Sequence, residues 1–182
     1  MREELKMRRV TAFAVALLLL GSNVAVSRAA TPSPTPTKNP YGASVPVDPP
    51  GPNDVVLTVT NHFKVIHFTL STLKKLGTSQ ISIYEPFVRV RQTFTVVSLA
   101  KIFKSVNIPS SANLSTIALN DYIFNDTVQH FADSQGQLAI ARFGLPIPYD
   151  QGGPIRIIFP DKTVYSKNLN AWNWSLSEIT VK

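Results

Sequence analysis

Two arginines in one short stretch are the first residues of this chain whose type and spacing could support chemistry. Arg89 and Arg91 lie in FVRVRQTFTVV, residues 87–97, where apolar and polar residues alternate with the period of two that predicts a half-buried strand. On a regular strand both guanidinium groups point to one face, where they could bind a phosphate or another anion. The alternative is a solvated sheet face, and we favour it because arginine is mostly exposed in proteins.

Thiol and metal chemistry have little support. The 182 residues include no cysteine, which excludes disulfides, thiolate metal ligands and cysteine nucleophiles. His62, His67 and His130 are the histidines, and the first two are five residues apart, so they would not share one face of a strand. We therefore expect no metal site and no catalytic residue, and we expect surface or packing roles for the histidines.

Two further clusters combine polar and aromatic side chains. Asn120, Asp121 and Tyr122 follow a predicted strand, and polar side chains at strand ends often line binding sites. A turn stabilised by the Asn and Asp side chains is the simpler alternative. Trp172 and Trp174 alternate along the chain, which predicts that one packs inward while the other faces a loop or groove.

The elements that must position these residues are mostly strands. A short helix is expected over 71–76 with Ser71 as its cap, another over 98–106 with Ser98 as its cap, and a helical turn over 127–131. Because strands dominate and no βαβ rhythm is present, the predicted fold class is α+β with a mixed or mostly antiparallel sheet. We predict strands over 55–60, 64–69, 80–84, 87–97, 115–119, 122–124, 137–143, 155–159 and 176–181.

The segment from Gly144 to Pro160, GLPIPYDQGGPIRIIFP, is the most informative about the fold. Gly152 and Gly153 permit backbone angles that other residues avoid, and the proline after them fixes the entry to a strand. That strand is strongly apolar except for Arg156.

The first 54 residues predict export followed by a linker. Residues 1–29 have a basic start, an apolar run over 12–20 and small residues before Ala30, which is typical of a signal peptide cleaved after Ala29. An uncleaved membrane anchor is the alternative, and a twin-arginine signal at Arg8-Arg9 is disfavoured because the core is very apolar. Residues 30–54 alternate Pro and Thr and predict an extended linker or stalk. The folded domain is predicted over 55–182, in a periplasm, at the cell envelope or outside the cell.

The charge of the chain gives weak support to nucleic-acid binding. The formal net charge is +7, of which residues 1–29 contribute +3, so residues 30–182 carry +4. The basic residues are scattered rather than clustered on one predicted element.

Four segments, in order, resemble the sulfite-oxidase-like molybdopterin-binding domain family. The first is similar to the family's G-V-P-L-x-x-L-L-x-x-x-G-V-P pattern, the second to its A-x-D-x-Y strand and turn, the third to its G-G-P-x-R segment, and the fourth to its closing strand. Together they cover roughly residues 55–182. The segments are TVVSLAKIFKSVNIP, IALNDYIFNDTVQHF, LAIARFGLPIPYDQGGPIRIIFP and AWNWSLSEITV.

The resemblance implies a strand-rich α+β fold and a molybdopterin cofactor, but the residue that binds molybdenum in the family has no equivalent here. Enzymes of the family bind molybdenum through the pterin dithiolene and one cysteine thiolate, and that cysteine falls by spacing at or near Tyr84 here. A phenol is a poor substitute for a soft thiolate ligand. The resemblance is therefore the one reason to expect a molybdopterin cofactor in this chain.

Three hypotheses follow for the function. The first is an accessory or ligand-binding protein that recognises a small anionic ligand or an envelope protein. The second is a molybdopterin-dependent oxidoreductase with a non-cysteine ligand or a partner subunit, and the third is a structural domain on the Pro-Thr stalk. Under the first hypothesis the candidate groove residues are Tyr84, Arg89, Arg91, Asn120, Asp121, Tyr122, Arg142 and Arg156.

Overall fold

The computed structural model describes Tyr41, residues 47–62 and residues 64–182. Short α-helices lie between pairs of strands: α1 (Leu70–Lys75), α2 (Leu99–Ser105) and α3 (Val128–Asp133). Single 3₁₀ turns cover Tyr149–Gln151, Val164–Ser166 and Leu169–Ala171. The strands are β1 (Val55–Asn61), β2 (Lys64–Thr69), β3 (Ser79–Glu85), β4 (Val90–Ser98), β5 (Asn113–Ala118), β6 (Ile123–Thr127), β7 (Gln137–Arg142), β8 (Arg156–Ile158) and β9 (Leu176–Val181).

These strands form two sheets, and the chain visits them alternately. The first sheet has the order β2-β1-β9-β5-β6 and contains one parallel pair, β1 with β9. The second has the order β3-β4-β7-β8 and is antiparallel throughout. The predicted α+β class with a mixed sheet is therefore confirmed.

The last strand occupies the centre of the first sheet. In β9, Leu176, Ile179 and Val181 are buried, and the strand pairs with β1 on one side and β5 on the other. One continuous apolar core contains these residues together with the inward faces of the second sheet and of the helices. Burial of this area supplies the main driving force for the fold.

The prediction that one strand runs through residues 87–97 is wrong at its start. Pro86 opens a turn, and both the Phe87 and Val88 amides donate to Glu85 Oε2, at 2.9 and 2.8 Å. Arg89 then adopts a left-handed backbone conformation, with φ of 58°. Strand β4 starts only at Val90, so Arg89 and Arg91 do not share a strand face.

The predicted helix caps are partly wrong. Helix α1 is capped by Thr69, not Ser71, and its side chain exchanges hydrogen bonds with Thr72 in a capping box. Ser98 does precede α2, but its side chain makes no capping hydrogen bond. Instead the Leu99 amide donates to the Gly136 carbonyl at 3.1 Å, so tertiary structure supplies the partner.

The two glycines before β8 have different roles. Gly152 has φ of 84°, a left-handed conformation that glycine adopts without strain. A Cβ atom at Gly153 would lie 1.8 Å from the Ile147 carbonyl oxygen, so two backbone segments touch there. The Gly-Gly pair therefore allows the 144–151 loop to pack directly against the entry to β8.

The predicted signal peptide and most of the predicted linker lie outside the described residues. Within the part of the chain that the structure describes, none of the helices has the length and apolarity needed to cross a bilayer. Tyr41 belongs to the predicted linker, yet its hydroxyl donates to Gln92 Oε1 of β4 at 3.2 Å.

We expect replacement of Gly153 by alanine to lower the free energy of unfolding by about 3 kcal/mol or more, since a backbone atom blocks the added methyl group. Gly144→Ala is the matched control. Gly144 has a positive φ of 77°, but an added Cβ meets nothing within 4 Å, so the expected loss comes from the backbone conformation alone and is about 1 kcal/mol. Urea unfolding with an unchanged m-value would measure both. Equal losses in the two variants would contradict the close approach.

Candidate functional site

A buried ion pair joins β3 and β8, the two edge strands of the second sheet. Arg156 at the start of β8 and Glu85 at the end of β3 are both fully buried. Arg156 Nη2 donates to Glu85 Oε1 at 2.7 Å. Burial lowers the pKa of the arginine below its ordinary value, and this effect is opposed by Tyr41 and Glu85. An unpaired charge at this depth would be strongly destabilising, so each residue requires the other.

Both oxygens of the Glu85 carboxylate are used. While Oε1 binds Arg156, Oε2 accepts the Phe87 and Val88 amides. A charged acceptor strengthens these hydrogen bonds and fixes the turn that follows β3. As a result Phe87 is held at the surface, 42% exposed, where its ring contacts Trp172 and Trp174 edge-on.

Trp174 is the central aromatic residue of the site. The Arg156 guanidinium lies over its ring, 4.1 Å from the centroid, and Phe87 packs against it at 4.8 Å. Trp172 is buried, with its indole N–H donating to the Tyr165 carbonyl at 2.7 Å. The prediction that one tryptophan packs inward is thus confirmed, and Trp174 is the one that faces a groove.

Three neighbouring clefts share lining residues, and together we call them the aromatic groove. The first, of about 270 Å³, is lined by Phe87, Asn120, Tyr122, Asn170, Trp172 and Trp174 among others. The second, of about 400 Å³, shares Asn120 and Trp174 with it and adds Leu119, Tyr149 and Ser175. The third, of about 270 Å³, shares Leu119 and Tyr149 with the second and continues past Pro154 and Ser177 to Pro50.

Two of the predicted site residues line the aromatic groove. Tyr122 is 40% exposed, and its hydroxyl donates to the Asn170 carbonyl at 2.9 Å, which holds the ring across the first cleft. Asn120 lines the first and second clefts, and its Oδ1 accepts the Tyr122 amide at 3.4 Å. Asp121 has φ of 62° and forms the turn between them.

Two other predicted residues, Arg142 and Arg156, lie with Trp174 in a second cluster beside the groove. The Arg142 guanidinium packs over the Tyr41 ring at 4.5 Å and also donates to Gln151 Oε1. Tyr41 in turn packs edge-on against Trp174 at 5.7 Å. Within the part of the chain that is described, three N–H groups of this cluster are buried without a hydrogen-bond partner: Arg142 Nη1, Arg156 Nε and Trp174 Nε1.

Tyr84 lies on the edge strand β3 of the second sheet, Arg91 lies on the neighbouring strand β4, and Arg89 lies in the turn before β4. Arg91 donates to the Ser82 carbonyl at 3.1 Å and to Asp161 Oδ2 at 2.6 Å, and Asp161 Oδ1 accepts the Tyr84 amide at 2.8 Å. These bonds satisfy backbone groups of the edge strand β3 that would otherwise be open to another chain. Tyr84 is 50% exposed there, and neither it nor Arg91 lines the aromatic groove.

Sequence reasoning missed Glu85, Phe87 and Tyr41. A signal for Glu85 was present, because a charged residue such as Arg156 inside an apolar strand requires a buried partner of opposite charge. Phe87 was assigned to a regular strand, and Tyr41 to a solvated linker. Nothing local to either residue indicates a contact with Trp174.

The histidines do not form a metal site with other residues of the described chain. His67 Nδ1 lies 3.1 Å from Thr58 Oγ1, and His130 Nδ1 lies 2.5 Å from Asp126 Oδ1. Among the described residues no group of three or more His, Asp or Glu side chains is arranged to hold a metal ion.

Comparison with known proteins reveals similarity at the level of fold. No protein-family profile and no curated protein sequence matches the chain. Among solved structures, it is similar to the sulfane dehydrogenase SoxCD from Paracoccus pantotrophus, with a TM-score of 0.56 and 12% sequence identity. The match covers 94% of this chain but only 56% of that one, so this chain spans little more than half of its length.

The ion pair generates a stability prediction. We expect Glu85→Gln to lower the free energy of unfolding by about 3–5 kcal/mol, because it leaves the Arg156 charge buried and unpaired. The double variant Glu85→Gln, Arg156→Met removes both charges and should be more stable than Glu85→Gln alone. Urea unfolding of the variants would measure this coupling. If the two substitutions were simply additive, the ion pair would not be the source of the loss.

Proposed function

We propose that this chain is an exported ligand-binding protein of the cell envelope, built on the sulfite-oxidase-like molybdopterin-binding fold and without molybdenum redox catalysis. Two independent observations support the fold. Four sequence segments resemble that family in the right order, and the structure is similar to a solved dehydrogenase over most of this chain. The predicted signal peptide and Pro-Thr linker support export and presentation at the envelope.

The observation that carries the proposal is the chemistry at Tyr84. The resemblance implies a thiolate ligand at or near this position, and the sequence has no cysteine anywhere. The Tyr84 amide donates to Asp161 Oδ1 at a sheet edge, and Tyr84 lines none of the three clefts of the aromatic groove. The residues present therefore do not fit a molybdenum centre of this family, and no redox step is assigned.

The binding site in this proposal is the aromatic groove, which is preformed. Its central side chain, Trp174, is held by Arg156 on one side and by Phe87 on another. Such fixed aromatic side chains lose little conformational entropy when a ligand binds, so they favour affinity. Concave, largely apolar sites with a few polar groups are the usual form of ligand sites.

A small anion at the arginine cluster is the second candidate ligand. Arg142 Nη1, Arg156 Nε and Trp174 Nε1 are buried donors without partners among the described residues. A phosphate or carboxylate group supplies several acceptors at once and would satisfy such donors. In this proposal the anion would bind beside Tyr41, whose hydroxyl already accepts from Arg156 Nη1 at 3.4 Å.

The cofactor question has a direct test. We expect protein purified from its own host to contain far less than one molybdenum atom per chain, and native mass spectrometry to give the mass of the polypeptide without a pterin. The physical reason is the missing thiolate ligand. Molybdenum near one atom per chain, with a bound pterin mass, would instead support the oxidoreductase with another ligand or a partner subunit.

A further inference from the structure

The charge of the aromatic groove restricts its ligand. Among the described residues that line its three clefts there is no Lys, Arg or His, and Asp54 is the one carboxylate. That carboxylate accepts the Gly51 amide at 2.7 Å and so has a partner already. The basic residues of the described chain therefore lie outside the lining of these clefts. A charged ligand would lose hydration in this groove without gaining an opposite charge.

The groove also presents aromatic surface, as a cluster of rings in the first cleft and as Tyr149 further along. Phe87 and Tyr122 are 42% and 40% exposed on the walls of the first cleft, with Trp174 between the first and second clefts. Tyr149 follows at the boundary between the second and third clefts. Sugar rings pack their C–H faces against aromatic rings, and successive rings along a groove match successive sugar units of a chain.

Uncharged polar side chains accompany the rings. The side chains of Asn120 and Asn170 line the first cleft, and those of Ser175 and Ser177 line the second and third. Amide side chains both donate and accept hydrogen bonds, and a serine hydroxyl does the same. Sugar hydroxyls have this dual character. Asn120 Oδ1 and the hydroxyls of Ser175 and Ser177 each have one partner within the chain, and a sugar hydroxyl could use their remaining hydrogen-bonding capacity.

Strand addition is restricted in this groove. The third cleft is lined by residues of β1 and β9, including Val56 and Leu176. The two strands pair with each other over Thr58–Thr60 and Glu178–Thr180, so a peptide has no free strand edge there. We therefore expect side chains to supply the ligand affinity.

From this combination we propose that the aromatic groove binds a neutral, linear oligosaccharide chain. The proposal rests on the ligand-binding function proposed above and names the ligand class of that site. Several sugar units lie along the three clefts, with ring faces on Phe87, Tyr122 and Trp174 and hydroxyl groups on Asn120 and Asn170.

Tryptophan fluorescence offers the test, because Trp172 and Trp174 are the only tryptophans in the chain. The full chain is titrated separately with cellohexaose, laminarihexaose, maltohexaose and N-acetylchitohexaose, all uncharged. We expect a saturable change with at least one of them. Tyr122→Ala should weaken that binding by about tenfold or more, since it removes a stacking face. Asn120→Ala should weaken it as well, and it provides a second variant if Tyr122→Ala does not fold.

Tyr84→Ala is the matched control, because this tyrosine is also half exposed but lies outside the groove. It should leave the affinity unchanged. No saturable signal with any neutral hexasaccharide at millimolar concentration would overturn the proposal. Equal or tighter binding of hexagalacturonate, or of a synthetic peptide with the sequence of residues 30–40, would overturn it too. Molybdenum is measured in the same preparation. If the protein contains no molybdenum and binds none of the sugars, the proposed ligand class is wrong but the proposed function stands. If the protein contains molybdenum, the proposed function is wrong.

Discussion

The buried contact between Arg156 and Glu85 is the constraint on which the candidate site depends. Neither charge has access to water, so each has a stable position only while the other is present. The pair ties the end of β3 to the start of β8, which lie at opposite edges of one sheet. The two residues also position side chains of the aromatic groove. Glu85 fixes the turn that presents Phe87, and Arg156 supports the face of Trp174.

This arrangement explains why the site does not need a cofactor to hold its shape. The side chains at its centre are ordered by an ion pair, by backbone amides and by ring contacts within the described chain. The groove therefore has its shape without the help of a bound cofactor. Because one fold can host many functions, the function of this chain depends on the residues of the site.

The sequence was sufficient for local structure wherever the pattern of side chains determined it. Strands β1, β2 and β9 were predicted within a residue of their bounds because their alternation or apolar character reflects their own burial. The Gly152-Gly153 pair was recognised because backbone geometry restricts residue type directly. One tryptophan packs inward and the other faces a groove, as predicted, but alternation is not the reason: residues two apart share a face on a regular strand, and residues 172–174 lie outside any strand.

Predictions failed where distant residues decide the outcome. The strand through Arg89 is interrupted because Glu85, paired with Arg156 in a distant part of the chain, accepts two backbone amides, which no alternation pattern encodes. Arg91 was treated as a ligand residue, but it neutralises Asp161 beside a sheet edge, a role that depends on residues 70 positions away. The position of Tyr41 against Trp174 depends on tertiary packing in the same way.

Hydrogen exchange in the cofactor-free protein would test the central claim most directly. If the Arg156–Glu85 pair organises the site by itself, the amides of Phe87 and Val88 should be protected to nearly the same degree as core amides of β4 and β7. Their exchange would then require opening of the second sheet. Rapid exchange at these two amides, with a protected core, would mean that the site is not preformed and that something else must order it.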